Sequence, residues 1–99
     1  MDIYAPNVIW PDDPDGDNAA FTLFAQDVSV AIIHKLQIFD RWGNNVFENR
    51  DFQPNDLRSG WDGTFRGEPV NPAVFVWYAE VELIDGRNIL LKGDVTVVR

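Results

Sequence analysis

One histidine, two serines and sixteen carboxylates are the groups in this 99-residue chain to which acid–base or nucleophilic chemistry could be assigned; there is no cysteine. Catalysis needs a proton-transfer group of suitable pKa or an activated nucleophile. His34 lies in a strand-like run, VSVAIIHKLQIFDRW, with no Ser/Asp arrangement of recognised spacing around it. The serines are only Ser29 and Ser59. The acids offer many pairs, but no spacing selects one. These residues predict a protein that is not an enzyme.

The loop PDDPDGDN, Pro11 to Asn18, carries the densest set of oxygen ligands. Asp13, Asp15, Asp17 and Asn18 alternate in the way that lets several carboxylates converge on calcium from a flexible loop. The helix–loop–helix calcium pattern fails, because the sixth position counted from Asp13 is Asn18 and the twelfth is Phe24. The alternative is an Asx-rich turn whose side chains cap their own backbone. A structural calcium ion is therefore the one cofactor for which the chain offers donors, and a loop without metal is the competing reading.

Trp42 and Trp61 each precede a turn glycine, Gly43 and Gly63. They suit either a sugar-stacking platform or core packing, where tryptophan buries a large area and glycine permits close approach. The packing reading is preferred. Arg41 and Asp62 have the chemistry for an ion pair tying their two loops together. Gly60 to Gly67, GWDGTFRG, lacks the Gly-Lys-Ser/Thr ending and the helix of a phosphate loop. It reads as a bend around an inward Trp61.

Composition narrows the partners. Sixteen acids against eight bases give a net charge of -8, with six aspartates and no Lys or Arg in residues 1–27. A phosphate-backbone partner calls for a basic surface, so nucleic acid is excluded. No apolar run approaches the roughly 20 residues of a membrane span, so membrane insertion is not expected. The N-terminus shows no basic segment followed by an apolar one. Residues 1–99 are expected to be a single domain cut from a longer chain.

The elements that must position these residues read as strands. Ile3 to Trp10, interrupted by Pro6, is an edge strand or extended lead-in. Ala20 to Ala25 is a strand. Val28 to Trp42 places Val28, Val30, Ile32, Leu36 and Ile38 on one face, with a helical turn near Ser29–Ile33 as a local alternative. Gly43-Asn44-Asn45 turns the chain into a short return strand around Val46-Phe47. Arg50 to Gly60 is irregular and crosses between sheets. Val74 to Ile84 is the best strand, with Trp77, Ala79, Val81 and Leu83 on one face and Tyr78, Glu80 and Glu82 on the other. Asp85-Gly86 makes a hairpin, Asn88 to Leu91 returns, Gly93 breaks it, and Asp94 to Arg99 finishes. About seven strands with frequent turns and no helix predict an all-β sandwich of two antiparallel sheets.

The motifs in this order carry a resemblance. Ile3-Tyr4-Ala5-Pro6-Asn7 opens the chain, Asp15-Gly16-Asp17-Asn18 and Phe21 follow, then Arg41-Trp42-Gly43 with Val46-Phe47, then Trp61-Asp62-Gly63 with Gly67, and finally Gly93 to Arg99. In these the chain resembles the gliding-motility-associated C-terminal domain of Bacteroidetes, the type B sorting domain of the type IX secretion system. The resemblance spans essentially all 99 residues. Two departures are Ala73-Val74-Phe75, where the family often has Gly-Val-Tyr, and the early loop, altered by Pro14 and Ala19-Ala20.

The resemblance implies an immunoglobulin-like sandwich and a non-catalytic sorting signal at the C-terminus of a larger protein. That protein would cross the periplasm and then the outer membrane, to be secreted or held at the cell surface. The implied partners are the type IX machinery and the passenger protein N-terminal to the domain. The family-motif residues Arg41, Trp42, Gly43, Val46, Phe47, Trp61, Asp62, Gly63, Gly67 and Arg99 are the candidates for recognition. The terminal strand Asp94–Arg99 is a candidate edge for strand addition, and Arg99 a candidate charge contact. The competing function is a carbohydrate-binding or adhesin-like accessory module. A sugar platform would need two exposed, coplanar rings from Trp10, Trp42, Trp61 and Tyr78.

Overall fold

Val30 to Phe39 and Ala73 to Leu83 are the two runs richest in β-branched and aromatic residues, and they form the centre of the molecule. A computed structural model describes residues 3–16, 18–26 and 30–99. In chain order the strands are β1 (Ile3–Tyr4), β2 (Val8–Ile9), β3 (Phe24–Ala25), β4 (Val30–Phe39), β5 (Asn45–Phe52), β6 (Thr64–Phe65), β7 (Glu68–Pro69), β8 (Ala73–Leu83) and β9 (Asn88–Val97). A 3₁₀ turn, Leu57–Ser59, lies between β5 and β6; Asp56 caps it by accepting from the Arg58 amide.

One five-stranded sheet, in the order β2-β9-β8-β4-β5, dominates. The neighbours within it are antiparallel, except that β2 runs parallel to β9. β1 with β3 and β6 with β7 make two further two-stranded ladders. The fold is all-β and sandwich-like, but the described residues form nine strands in three sheets, not about seven in two antiparallel sheets. Residues 3–25 and 53–70 carry Pro6, Pro11, Pro14, Pro54 and several glycines, and such punctuation leaves only two-residue strands. The segments around these short strands nonetheless supply core side chains. Phe21 and Trp61 bridge each other and are at most 1% exposed. Phe21 packs on Trp77 with ring centroids 5.6 Å apart, and Trp61 meets Phe75 edge-on at 5.0 Å. The core therefore lies between the inner face of the large sheet and these irregular segments.

The alternation along β8 is as the sequence suggests: Phe75, Trp77, Ala79, Val81 and Leu83 are buried and Tyr78 is exposed. The reading of β4 needs correction. Val30, Ile33, Leu36 and Ile38 are its buried residues, while Ile32 is only half-buried. Register shifts lie between Val30 and Ile32 and between Ile33 and Lys35. A bulge inserts one residue and reverses which parity faces inward. Val30–Ile33 is strand, not a helical turn; Val28 and Ser29 lie outside the described residues. β5 extends to Phe52, well past Val46-Phe47. The expected strand over Ala20–Ala25 contracts to β3 and the Phe21 bridge.

Gly93 does not break β9. It sits opposite Trp77 inside a continuous strand. A Cβ there would lie 2.9 Å from the Trp77 indole nitrogen, so glycine makes room for the ring and the strand runs on. The end of β9 is not a free edge either. Thr96 and Val97 pair with Val8 and Ile9, and the Thr96 amide donates to the Asn7 carbonyl at 2.8 Å. The lead-in strand covers the Thr96–Val98 part of the edge that Asp94–Arg99 would otherwise offer.

Candidate recognition surface

The β4–β5 hairpin turn is built by one carboxylate. Asp40 accepts from the Trp42 and Asn44 amides through Oδ1, both at 2.9 Å, and from the Asn44 side-chain amide through Oδ2, also at 2.9 Å. The Asn44 side-chain bond is the main reason that the Asp40 carboxyl is held below the ordinary carboxylate range. Gly43, at φ 85°, supplies the left-handed residue and donates to the Asp40 carbonyl. Asp40 was not singled out from the sequence. An aspartate three residues ahead of a glycine, at the end of a strand, is the signal that could have found it.

This turn lifts Trp42 off the body of the domain: it is 74% exposed, whereas Trp61 is 1% exposed. The expectation that both pack in the core holds for Trp61 alone. Trp42 belongs to the turn, where no second layer covers it. Trp61 fixes its own turn by donating its indole N–H to the Thr64 carbonyl at 2.8 Å. The two tryptophans therefore do not form a platform. Trp42 and Tyr78 line separate clefts.

Arg41 and Asp62 are not paired. The Arg41 guanidinium lies over the Trp42 ring, 4.9 Å from its centroid. Asp62 accepts instead from the Thr64 amide and hydroxyl at 3.1 and 2.6 Å. Arg41 stacks on the adjacent Trp42 and Asp62 bonds to Thr64 two residues on, so local contacts orient each side chain away from the other loop.

Arg99 closes the Trp-Asp-Gly turn. Its guanidinium donates to the Val70 carbonyl at 3.0 Å and the Gly63 carbonyl at 3.1 Å, and it meets Asp12 at 3.3 Å. Gly63 adopts φ 80°, and a Cβ there would lie 2.6 Å from Pro11. Gly67 completes the tight β6–β7 turn after Arg66, which itself holds φ 54°. Val46 is buried and Phe47 packs against the core. Val46, Phe47, Trp61 and Gly63 thus lie in or against the core, and the Arg41 and Trp42 side chains project from the fold.

Between the hairpin turn and residues 65–75 lies an open cleft of about 260 Å³, lined among others by Arg41, Trp42, Val46, Phe65, Val70 and Val74. Nothing in the sequence pattern joins Phe65 and Val70 to Trp42; β6, β7 and the start of β8 do so.

The other candidates are placed as follows. Asp13 accepts from the Asp15 amide at 3.0 Å and the Asn18 amide at 3.2 Å, the Asx-turn arrangement. Asp17 lies outside the described residues. Among those described, no three His, Cys, Asp or Glu side chains converge as a metal site. His34 meets Glu82 at 2.8 Å and Asp51 at 3.6 Å on opposite ring nitrogens. The Glu82 bond is the largest cause raising its pKa above 6.5. Ser59 donates to Asp56 at 3.0 Å as part of the 3₁₀ cap, not to a histidine.

Residues 3–97 match the CHU_C type IX secretion signal domain. The chain belongs to this family. It is a non-catalytic signal domain for type IX secretion, the class of domain that sends proteins out to the medium or the cell surface. Family identity associates it with the type IX machinery and with a passenger protein. No curated protein matches the chain. Among the described residues of this signal domain, no helix is long and apolar enough to cross a membrane.

Proposed function

We propose that residues 1–99 are one immunoglobulin-like sorting domain at the C-terminal side of its passenger, and that the type IX machinery recognises it folded. The recognition element is the Arg41-Trp42-Gly43 turn with the cleft beside it. The observation that supports this reading is Trp42, a large aromatic side chain 74% exposed on a turn that Asp40 and Gly43 form without it. Interface hot spots are enriched in tryptophan and arginine held rigidly before binding.

A folded reporter placed ahead of residues 2–99 tests it in a gliding bacterium with and without a working type IX system. The reporter is expected in the medium or on the surface of the competent strain alone. A Trp42→Ala fusion is expected to remain in the periplasm although folded. Export of that variant at the parental level would sink the assignment of the turn.

A further inference from the structure

The five-stranded sheet has two edges, and they are built differently. On β5, Glu48-Asn49-Arg50-Asp51 sets charged and polar side chains in succession, Asp51 leaves the extended backbone at φ 57°, and the Asn49 side chain donates to the Ser59 carbonyl at 2.9 Å. Charges, bends and covering loops keep an edge from pairing. β9 forms the other edge, and β2 pairs with it only at Thr96 and Val97. Among the described residues no strand lies on the outer side of Asn88–Asp94. The β8–β9 register runs without a shift from Ala73↔Val97 to Glu82↔Asn88, and the Thr96 amide points away from β8, to the Asn7 carbonyl. In a regular strand alternate residues turn both N–H and C=O to the same side. The amides and carbonyls of Leu90, Lys92 and Asp94 therefore also point away from β8, at strand spacing and with no strand to meet them. Where β5 is charged, β9 carries Ile89-Leu90-Leu91. Leu90 is 80% exposed on the outer face, where it lines a shallow depression with Tyr78. Ile89 and Leu91 are only partly buried against the core on the other face.

We infer that the Leu90–Asp94 edge of β9 takes one extended strand of the type IX machinery, which adds to the sheet in line with β2 and sets an aliphatic side chain against Leu90. This rests on the sorting role but not on the Trp42 turn, which lies at the β4–β5 end of the strand order. The edge itself specifies the occupant. Alternating main-chain donors and acceptors at strand spacing are complementary to another extended backbone, and side chains at alternate positions then add selectivity. Cross-strand aliphatic pairs stabilise such an addition, and here both faces of the edge offer one. A second copy of the chain is disfavoured, because each copy carries a net charge of -8. The chain's own lead-in is disfavoured too, because ahead of Val8 it leaves this edge and pairs in the β1–β3 ladder.

The test has two arms. In the first, the whole chain, isotope-labelled, is titrated with a synthetic Lys-Thr-Val-Thr-Val-Thr-Lys strand and with a Lys-Thr-Pro-Thr-Pro-Thr-Lys counterpart that cannot pair. The first peptide is expected to shift and protect the Leu90, Lys92 and Asp94 amides, and the second to leave them unmoved. Lys92→Pro removes an outward N–H that no strand of the domain uses, so it is expected to weaken binding at least tenfold while Lys92→Ala does not. Leu90→Lys, at an exposed position, gives the same reading should the proline disturb the fold. No protection at these amides, or an equal response to both peptides, overturns the inference. In the second arm a photo-crosslinking phenylalanine replaces Leu90 in the reporter fusion, in a strain with a working type IX system. A covalent adduct with a type IX component, identified by mass and lost in Lys92→Pro, is expected. An adduct only with a second copy or with the passenger overturns the inference, as does the absence of any adduct. Export separates the levels. If the parental fusion leaves the cell only in the competent strain and both Lys92→Pro and Leu90→Lys leave equally well, the edge inference fails and the sorting role stands. If the parental fusion is not exported, the sorting role itself fails.

Discussion

Arg99 Nη2 donates to the Gly63 carbonyl at 3.1 Å, joining the segment after β9 to a turn 36 residues earlier in the chain. The same guanidinium holds the Val70 carbonyl and Asp12, so one side chain fastens three loops at one end of the sandwich. Its side chain is only 20% exposed, and Asp12 is 61% exposed. Arg99 therefore serves as an internal clasp more than as a charge offered to a partner.

Removal of this clasp should cost more than removal of its acid. Arg99→Ala leaves two carbonyls without their donor, and hydrogen bonds to charged groups contribute about 1.5–3 kcal/mol each in favourable cases. A loss of about 1–3 kcal/mol in urea unfolding is expected. Asp12→Ala removes an exposed partner and should cost less than about 1 kcal/mol. Equal losses for the two variants would show that the ion pair, and not the carbonyl contacts, carries the effect.

The pH dependence of stability should contain a component from His34. Glu82 on β8 faces one ring nitrogen and Asp51 at the end of β5 faces the other. Both favour the charged ring, and the folded pKa lies above 6.5. A group whose pKa rises on folding contributes stability that is full below its unfolded pKa and is lost as pH rises through its folded value. The urea midpoint should therefore fall from about pH 6 to about pH 8, and His34→Gln should flatten that slope. An unchanged slope in the variant would remove His34 as its source.

These two contacts also mark where the sequence stops being informative. The composition and strand pattern convey an all-β domain without catalytic tools, because β8 alternates cleanly and its turns have strong signals. The motif order identifies the family. The bulges in β4 are not legible, since an extra residue leaves no mark in a run that is apolar on both parities. Nor is the partition of the two tryptophans, because both precede turn glycines. Their fates differ through tertiary context: Trp61 faces Phe75 and bridges Phe21, and Trp42 is held outward by a turn that Asp40 completes. The cleft depends on residues 65–75 returning beside the hairpin, a long-range relation that no local pattern encodes.

Thr22 supplies a test of the irregular layer. It is fully buried, and its hydroxyl finds no hydrogen-bond partner among the described residues. An unsatisfied buried polar group costs roughly 1–3 kcal/mol. Thr22→Val keeps the shape and removes the hydroxyl, so the melting temperature should rise. A fall would show that the hydroxyl is satisfied in solution, for example by a buried water.

The two tryptophans should separate stability from recognition. Trp61→Ala empties a fully buried site beside Phe21 and Phe75, and a cost of about 3–5 kcal/mol is expected, a large share of the roughly 5–15 kcal/mol that holds a domain folded. Trp42→Ala removes a larger exposed surface but little packing, and surface changes of this kind stay within about 0.5 kcal/mol. Chemical unfolding of both variants, followed by intrinsic fluorescence, measures the contrast. The Trp42 variant should unfold at the parental midpoint. It should also lose the more solvent-exposed, quencher-accessible component of the emission. If it instead loses several kcal/mol, Trp42 is a structural residue, and any secretion defect of the variant would no longer speak for recognition.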